Sequence, residues 1–128
     1  MLSTSSSQMA IILHIATREA WRTAKRQGFY EPLSFKSEGF IHCSRPEQVI
    51  QVANSLFRGQ TDLVLLVINT AEVAAEIRYE NLEGGQQLFP HIYGILPLAA
   101  VKEEIGFAPQ ADGTFALPRQ LARESDSS

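Results

Sequence analysis

Short apolar stretches alternate along this chain with polar breaks marked by glycine and proline, and most stretches carry a readable period. Ile11 to Ile15 is apolar and β-branched, interrupted by His14, and predicts a strand. Thr17 can cap a helix over Arg18 to Gln27, with Ala20, Trp21 and Ala24 on one face and Gly28 as its stop. Phe29 to Ser37 contains Pro32 and shows no period, which predicts an irregular connection. Phe40 to Cys43 predicts a second short strand. Directly after it, Ser44-Arg45-Pro46-Glu47 reads as a capping box: a hydroxyl, a carboxylate three residues later, and proline in the first turn. The helix it opens is expected to run to about Arg58, with Val49, Ile50, Val52, Ala53, Leu56 and Phe57 as its apolar face and Gly59 as its end.

Leu63 to Ile68 is apolar without a break, the pattern of a central strand covered on both faces. Ile77 and Tyr79 alternate with Arg78 and Glu80, which predicts a strand with one wet face, and Asn81 to Gln87, with Gly84-Gly85, predicts a flexible loop. Leu88 to Leu98 is apolar but holds Pro90, Gly94 and Pro97, and proline confines such a segment to a sheet edge or a bulge. Asp112-Gly113, between Ile105–Phe107 and Phe115–Leu117, is a hairpin signal. Two main helices and about five to seven strands make this an α+β domain with a mixed or antiparallel sheet.

Charge and composition narrow the function. Lys and Arg number 11 against 14 Asp and Glu, a formal net charge of −3, which lacks the basic footprint of a nucleic-acid binder. The 128 residues suffice for one domain with a core that needs no disulfide or metal staple. Ser3 to Ser7 and Arg119 to Ser128 are polar and predict disordered tails over 1–8 and 119–128, around a single domain at 9–118. Cys43 is the lone cysteine, the N-terminus lacks the pattern of a secretory signal, and the longest apolar run is too short to span a bilayer. A cytoplasmic protein without a membrane partner is expected. The fingerprints of Rossmann dehydrogenases, P-loop NTPases, zincins, thioredoxins and α/β-hydrolases are all missing.

What remains is a set of three histidines, His14, His42 and His91, each flanked by apolar residues. Each fits a half-buried residue with one ring nitrogen satisfied; together they also fit a shared cleft. A three-histidine metal site is an alternative, although spacings of 28 and 49 residues match no local ligand pattern, and no metal is expected. His42 and Ser44 ahead of the second helix suggest an anion site, and a plain cap explains the same residues. Cys43 alternates with His42 and should face the core as an inert thiol. Arg78 and Glu80 share a strand face, as a binding pair or as a solvated edge. Tyr30, Ser34 and Glu38 lie in the irregular connection, where functional residues often sit, whereas Trp21 and Phe57 read as core.

The strings Glu38-Gly39-Phe40-Ile41-His42-Cys43-Ser44, Pro46-Glu47-Gln48, Ala53-Asn54, Phe57-x-Gly59, Asp62-Leu63-Val64-Leu65-Leu66 and Phe89-Pro90-His91-Ile92-Tyr93-Gly94 resemble the bacterial family called domain of unknown function 952. His14, Trp21 and Glu80 fit the same pattern, and the resemblance spans about Ile12 to Pro118. That family is grouped with the ADP-ribosyltransferase-like fold, which implies a split β-sheet cradling NAD or an ADP-ribose-like group. By that resemblance His14 contacts the nicotinamide ribose and Gly39 to Ser44 carries the second motif. The third motif supplies a glutamate, and Glu80 and His91 stand near its strand. The resulting expectation is a histidine-lined cleft for NAD or a ribose-phosphate compound, of glycosyl- or ADP-ribosyl-transferring or hydrolysing type. Glu80 and His91 are the catalytic candidates, and His14, Thr17, His42, Ser44 and Tyr93 the ligand-binding ones. A non-catalytic nucleotide-binding module and a metal-dependent enzyme are the alternatives.

Overall fold

The computed structural model describes residues 10–81 and 85–121; the expected N-terminal tail, the C-terminal residues past 121 and the middle of the 81–87 loop lie outside the described residues. In chain order the elements are β1 (Ile11–Thr17), α1 (Arg18–Gln27), β2 (Phe29–Tyr30), α2 (Leu33–Glu38), β3 (Ile41–His42), α3 (Val49–Leu56), β4 (Leu63–Asn69), β5 (Glu76–Glu80), β6 (Phe89–Tyr93), β7 (Leu96–Pro97) and β8 (Val101–Phe107). They form one α+β domain. Three sheets, ordered β1-β4-β8, β3-β6-β5 and β2-β7, contain antiparallel pairings throughout the described residues.

The unbroken apolar run becomes β4, the middle strand of the first sheet, and its two faces serve two cores. Val64, Leu66 and Ile68 pack with Trp21 and Ala24 of α1 and with Ile41 and Ile92 of the second sheet. Leu63, Leu65 and Val67 pack with Val49 and Ala53 of α3, and with Phe107 and Phe115. A strand buried on both faces needs no alternation, which is why this one reads as a run. Helix α1 has the expected ends: Thr17 Oγ1 accepts from Ala20 N at 3.0 Å, and Gly28, at φ +96°, closes it.

Five expectations need correction. The connection after Gly28 is not irregular: Phe29 and Tyr30 pair with Pro97 and Leu96, and α2 follows. A two-residue strand depends on partners 66 and 68 residues away and leaves no period to read. The capping box does not form. Leu13 and Ser44 exchange both backbone bonds at 2.7 Å, so Ser44 is extended, and α3 begins only at Val49. Arg45 N instead donates to Gln48 Oε1 at 2.9 Å. Pro90 lies in β6, the middle strand of its sheet, rather than at an edge. Cys43 N donates to Pro90 O at 3.0 Å, and β3 ends at His42, where the return bond would need the N–H that proline lacks. Asp112 and Gly113 do form a turn, with Asp112 accepting from Thr114, but 115–117 is not a strand; Phe115 N donates to Asn54 Oδ1 of α3 at 2.7 Å. Finally, Leu121, assigned to the tail, is buried in the second core, so the packed body extends past Pro118. None of the helices in the described residues is long and apolar enough to cross a membrane.

Candidate functional site

The first two sheets are joined at the Leu13–Ser44 bridge. Beside that bridge lies a cleft of about 690 Å³. β1 contributes His14, Ile15, Ala16 and Thr17; α2 and the residue before it contribute Pro32, Leu33 and Glu38; α3 contributes Gln51, Val52, Ser55 and Leu56. His42, Cys43 and Ser44 line it from β3 and the residues after it, and Glu80, Phe89 and His91 from β5 and β6.

The period of a strand explains how the polar groups converge. Ile41, Ile92 and Ile77 sit side by side across β3, β6 and β5 and turn into the first core. One residue along, His42, His91 and Arg78 therefore sit side by side on the opposite face. The His42 and His91 rings lie edge to face with centroids 5.3 Å apart. Phe40, two residues before His42, stacks on His91 at 4.3 Å and meets His42 edge-on at 4.7 Å.

Each of these histidines has its own carboxylate. Glu80 Oε1 accepts from His91 Nδ1–H at 2.9 Å and from the Tyr93 hydroxyl at 2.6 Å. The Tyr93 bond, then the His91 bond, hold the Glu80 carboxyl below the usual carboxylate range. The same bond to Glu80 pushes the Tyr93 phenol up. Arg78 lies over the Tyr93 ring at 4.4 Å and pairs with Glu76 at 3.0 Å. On the other side, His42 Nε2–H donates to Glu38 Oε1, the last residue of α2, at 2.5 Å. Gly39, at φ +88°, ends α2 and turns the chain into Phe40 and β3, which brings this pair together.

His14 has a different environment. Its Nδ1–H donates to the His42 carbonyl at 2.5 Å, and Nε2 accepts from the Tyr30 hydroxyl at 2.7 Å. Burial lowers it to about 4, opposed by the His42 carbonyl bond, so the ring is neutral at physiological pH. Both nitrogens are spent inside the fold. His14 thus lines the cleft without an open nitrogen to hold a ribose, the role that the resemblance implies for it.

The other candidates divide in the same way. Thr17 lines the cleft while capping α1, and Ser44 lines it while bridging to β1. Tyr93 donates to Glu80 and is outside the lining. Glu80 and His91 are brought together, and Glu38 and Tyr30 emerge from the connection as partners of His42 and His14. Cys43 packs in the first core, where burial pushes its thiol far up. Phe40 was not singled out from the sequence; its signal was the two-residue step to His42, which gives both one face of an extended segment. Among the described residues no cluster of His, Cys, Asp or Glu is placed to hold a metal ion. The described lining carries Glu38 and Glu80 and no Lys or Arg.

The fold and the site together define a small α+β domain with two histidine–carboxylate pairs in one cleft. The chain belongs to the family described as protein of unknown function DUF952, whose model matches residues 15–104. It is similar to the crystal structure of protein CC0527 from Caulobacter crescentus, with 36% identity over 88% of this chain and 98% of that one, at a TM-score of 0.79. The solution NMR structure of CC0527 is similar at 36% identity over 88% of this chain and 97% of that one, with a TM-score of 0.76. No curated protein matches the chain.

Proposed function

We propose that the cleft is the active site of a small acid–base enzyme that makes or breaks a glycosidic, ribosyl-type bond. One observation carries the reading: two histidines, each held by its own carboxylate, meet at 5.3 Å in one cleft. Glu80 is ionised and accepts, so His91 keeps its proton on Nδ1, and in the neutral ring Nε2 carries the lone pair. That nitrogen can take a proton from an attacking hydroxyl or water. His42, with Nε2–H committed to Glu38, offers Nδ1 for a second proton transfer. Breaking a glycosidic bond builds positive charge on the sugar carbon, and a carboxylate nearby stabilises it. The glycosyl character itself comes from the ADP-ribosyltransferase-like resemblance. NAD as a whole fits less well: the described lining has no Lys or Arg to meet a diphosphate.

The test is release of the base from adenosine, inosine, AMP, ADP-ribose and NAD, followed by chromatography. The expected result is release that falls at least about a hundredfold in Glu80→Gln and in His91→Asn. The second variant keeps a donor near Nδ1 and lacks Nε2. Circular dichroism should show both variants folded. Equal release by the variants would refute the assignment of these residues. Binding without release would make the protein a binding module, and no release from any compound would end the catalytic reading.

A further inference from the structure

We infer that the substrate is an uncharged glycoside whose flat aglycone can lie against apolar side chains, such as a nucleoside, rather than a nucleotide or dinucleotide. This rests on the reading of the cleft as a glycosyl-type active site. Charge is the first argument. Glu38 and Glu80 carry the formal charges of the described lining; Arg78, two residues before Glu80 on β5, acts on Glu80 but is paired with Glu76 at 3.0 Å and is not in that lining. A phosphate in this space would meet the carboxylates at short range, and Glu80, with its side chain 21% exposed, is the less screened of the two. The N-termini of α3 and α1 do not compensate. α3 lines the cleft with Gln51, Val52, Ser55 and Leu56, away from its N-terminal residue Val49, which is fully buried. At the start of α1, Arg18 N is bound to Asp62 O at 2.8 Å and Ala20 N to Thr17 Oγ1 at 3.0 Å.

The second argument is the apolar rim. Leu33 is 82% exposed and Leu56 71% exposed, the highest values among the exposed large hydrophobics of the described residues. A single exposed leucine needs no explanation. These two stand on α2 and α3 and line the same cleft, with Pro32, Val52 and Phe57. Their side chains would be covered by the apolar part of a ligand whose hydroxyl-bearing part reaches His42 and His91.

Calorimetric titration with adenosine, AMP, ADP-ribose and NAD tests the inference. Adenosine should bind, and addition of phosphate should weaken binding at least about tenfold. In a Leu33→Lys/Leu56→Lys double variant, whose changes fall on exposed positions, adenosine should bind more weakly and the gap to AMP should narrow. AMP, ADP-ribose or NAD binding as tightly as adenosine would overturn the inference, as would no binding by any of the four. The two readings fail separately. Adenosine bound but not cleaved would remove the catalytic reading and support the ligand class. NAD cleaved in a Glu80-dependent way, and bound more tightly than adenosine, would do the reverse.

Discussion

Acidification should destabilise the protein through His14 well before its carboxylates are protonated. In the folded chain the His14 ring is buried between the His42 carbonyl and the Tyr30 hydroxyl, and burial lowers it from 6.5 to about 4. The unfolded chain binds a proton there below about pH 6.5, whereas the folded chain does so only near pH 4. Between those values the unfolded state holds more protons, so stability falls as the pH falls. The contribution is fully present above about pH 6.5 and lost by about pH 4. At about 1.4 kcal/mol per pH unit, that span corresponds to about 3 kcal/mol, of which about 2 kcal/mol is gone by about pH 5. For a chain of 128 residues, about 2 kcal/mol is a fall in Tm of roughly 7 °C. The assay is equilibrium urea denaturation across this pH range, comparing the protein with His14→Gln. The variant should be less stable at neutral pH and should show a shallower loss on acidification, and the difference between the two curves isolates His14. Parallel curves would mean that His14 protonates as freely folded as unfolded, and would refute its placement as a spent, neutral ring.

Two further outcomes follow from packing. Cys43 is buried with its thiol pushed far up, so a thiol-specific reagent should label it only after denaturation; fast labelling of the native protein would contradict that burial. Gly94 follows β6, and a Cβ there would stand 2.6 Å from Ala75 Cβ, which cannot swing away. Gly94→Ala should therefore cost about 1–3 kcal/mol in chemical denaturation, and an unchanged midpoint would show that the Ala75 segment yields.

Elements whose information is local were legible in the residues alone. Thr17 and Gly28 fix α1 because a cap bond and a left-handed stop act within one helix. Leu63 to Ile68 reads as a doubly covered strand because composition alone distinguishes burial on both faces from burial on one. The apolar runs and the alternation about Ile77 and Tyr79 also put His42, Glu80 and His91 on strands, and the two-residue period made Cys43 a core residue. Other features were decided between distant segments. Leu13 took the backbone of Ser44 and cancelled a cap that Ser44 and Glu47 are chemically able to make. Tyr30 and Leu96 made a strand out of a connection without a period. The third histidine shows the limit most clearly. Its apolar neighbours predicted burial correctly, but whether a buried imidazole serves a ligand or the fold depends on what meets its nitrogens. Here Tyr30, 16 residues away, and the His42 carbonyl, 28 residues away, take both. The pairing of His42 with Glu38 was likewise set by a six-residue helix that only the folded chain stabilises, because a segment so short has little helical stability of its own.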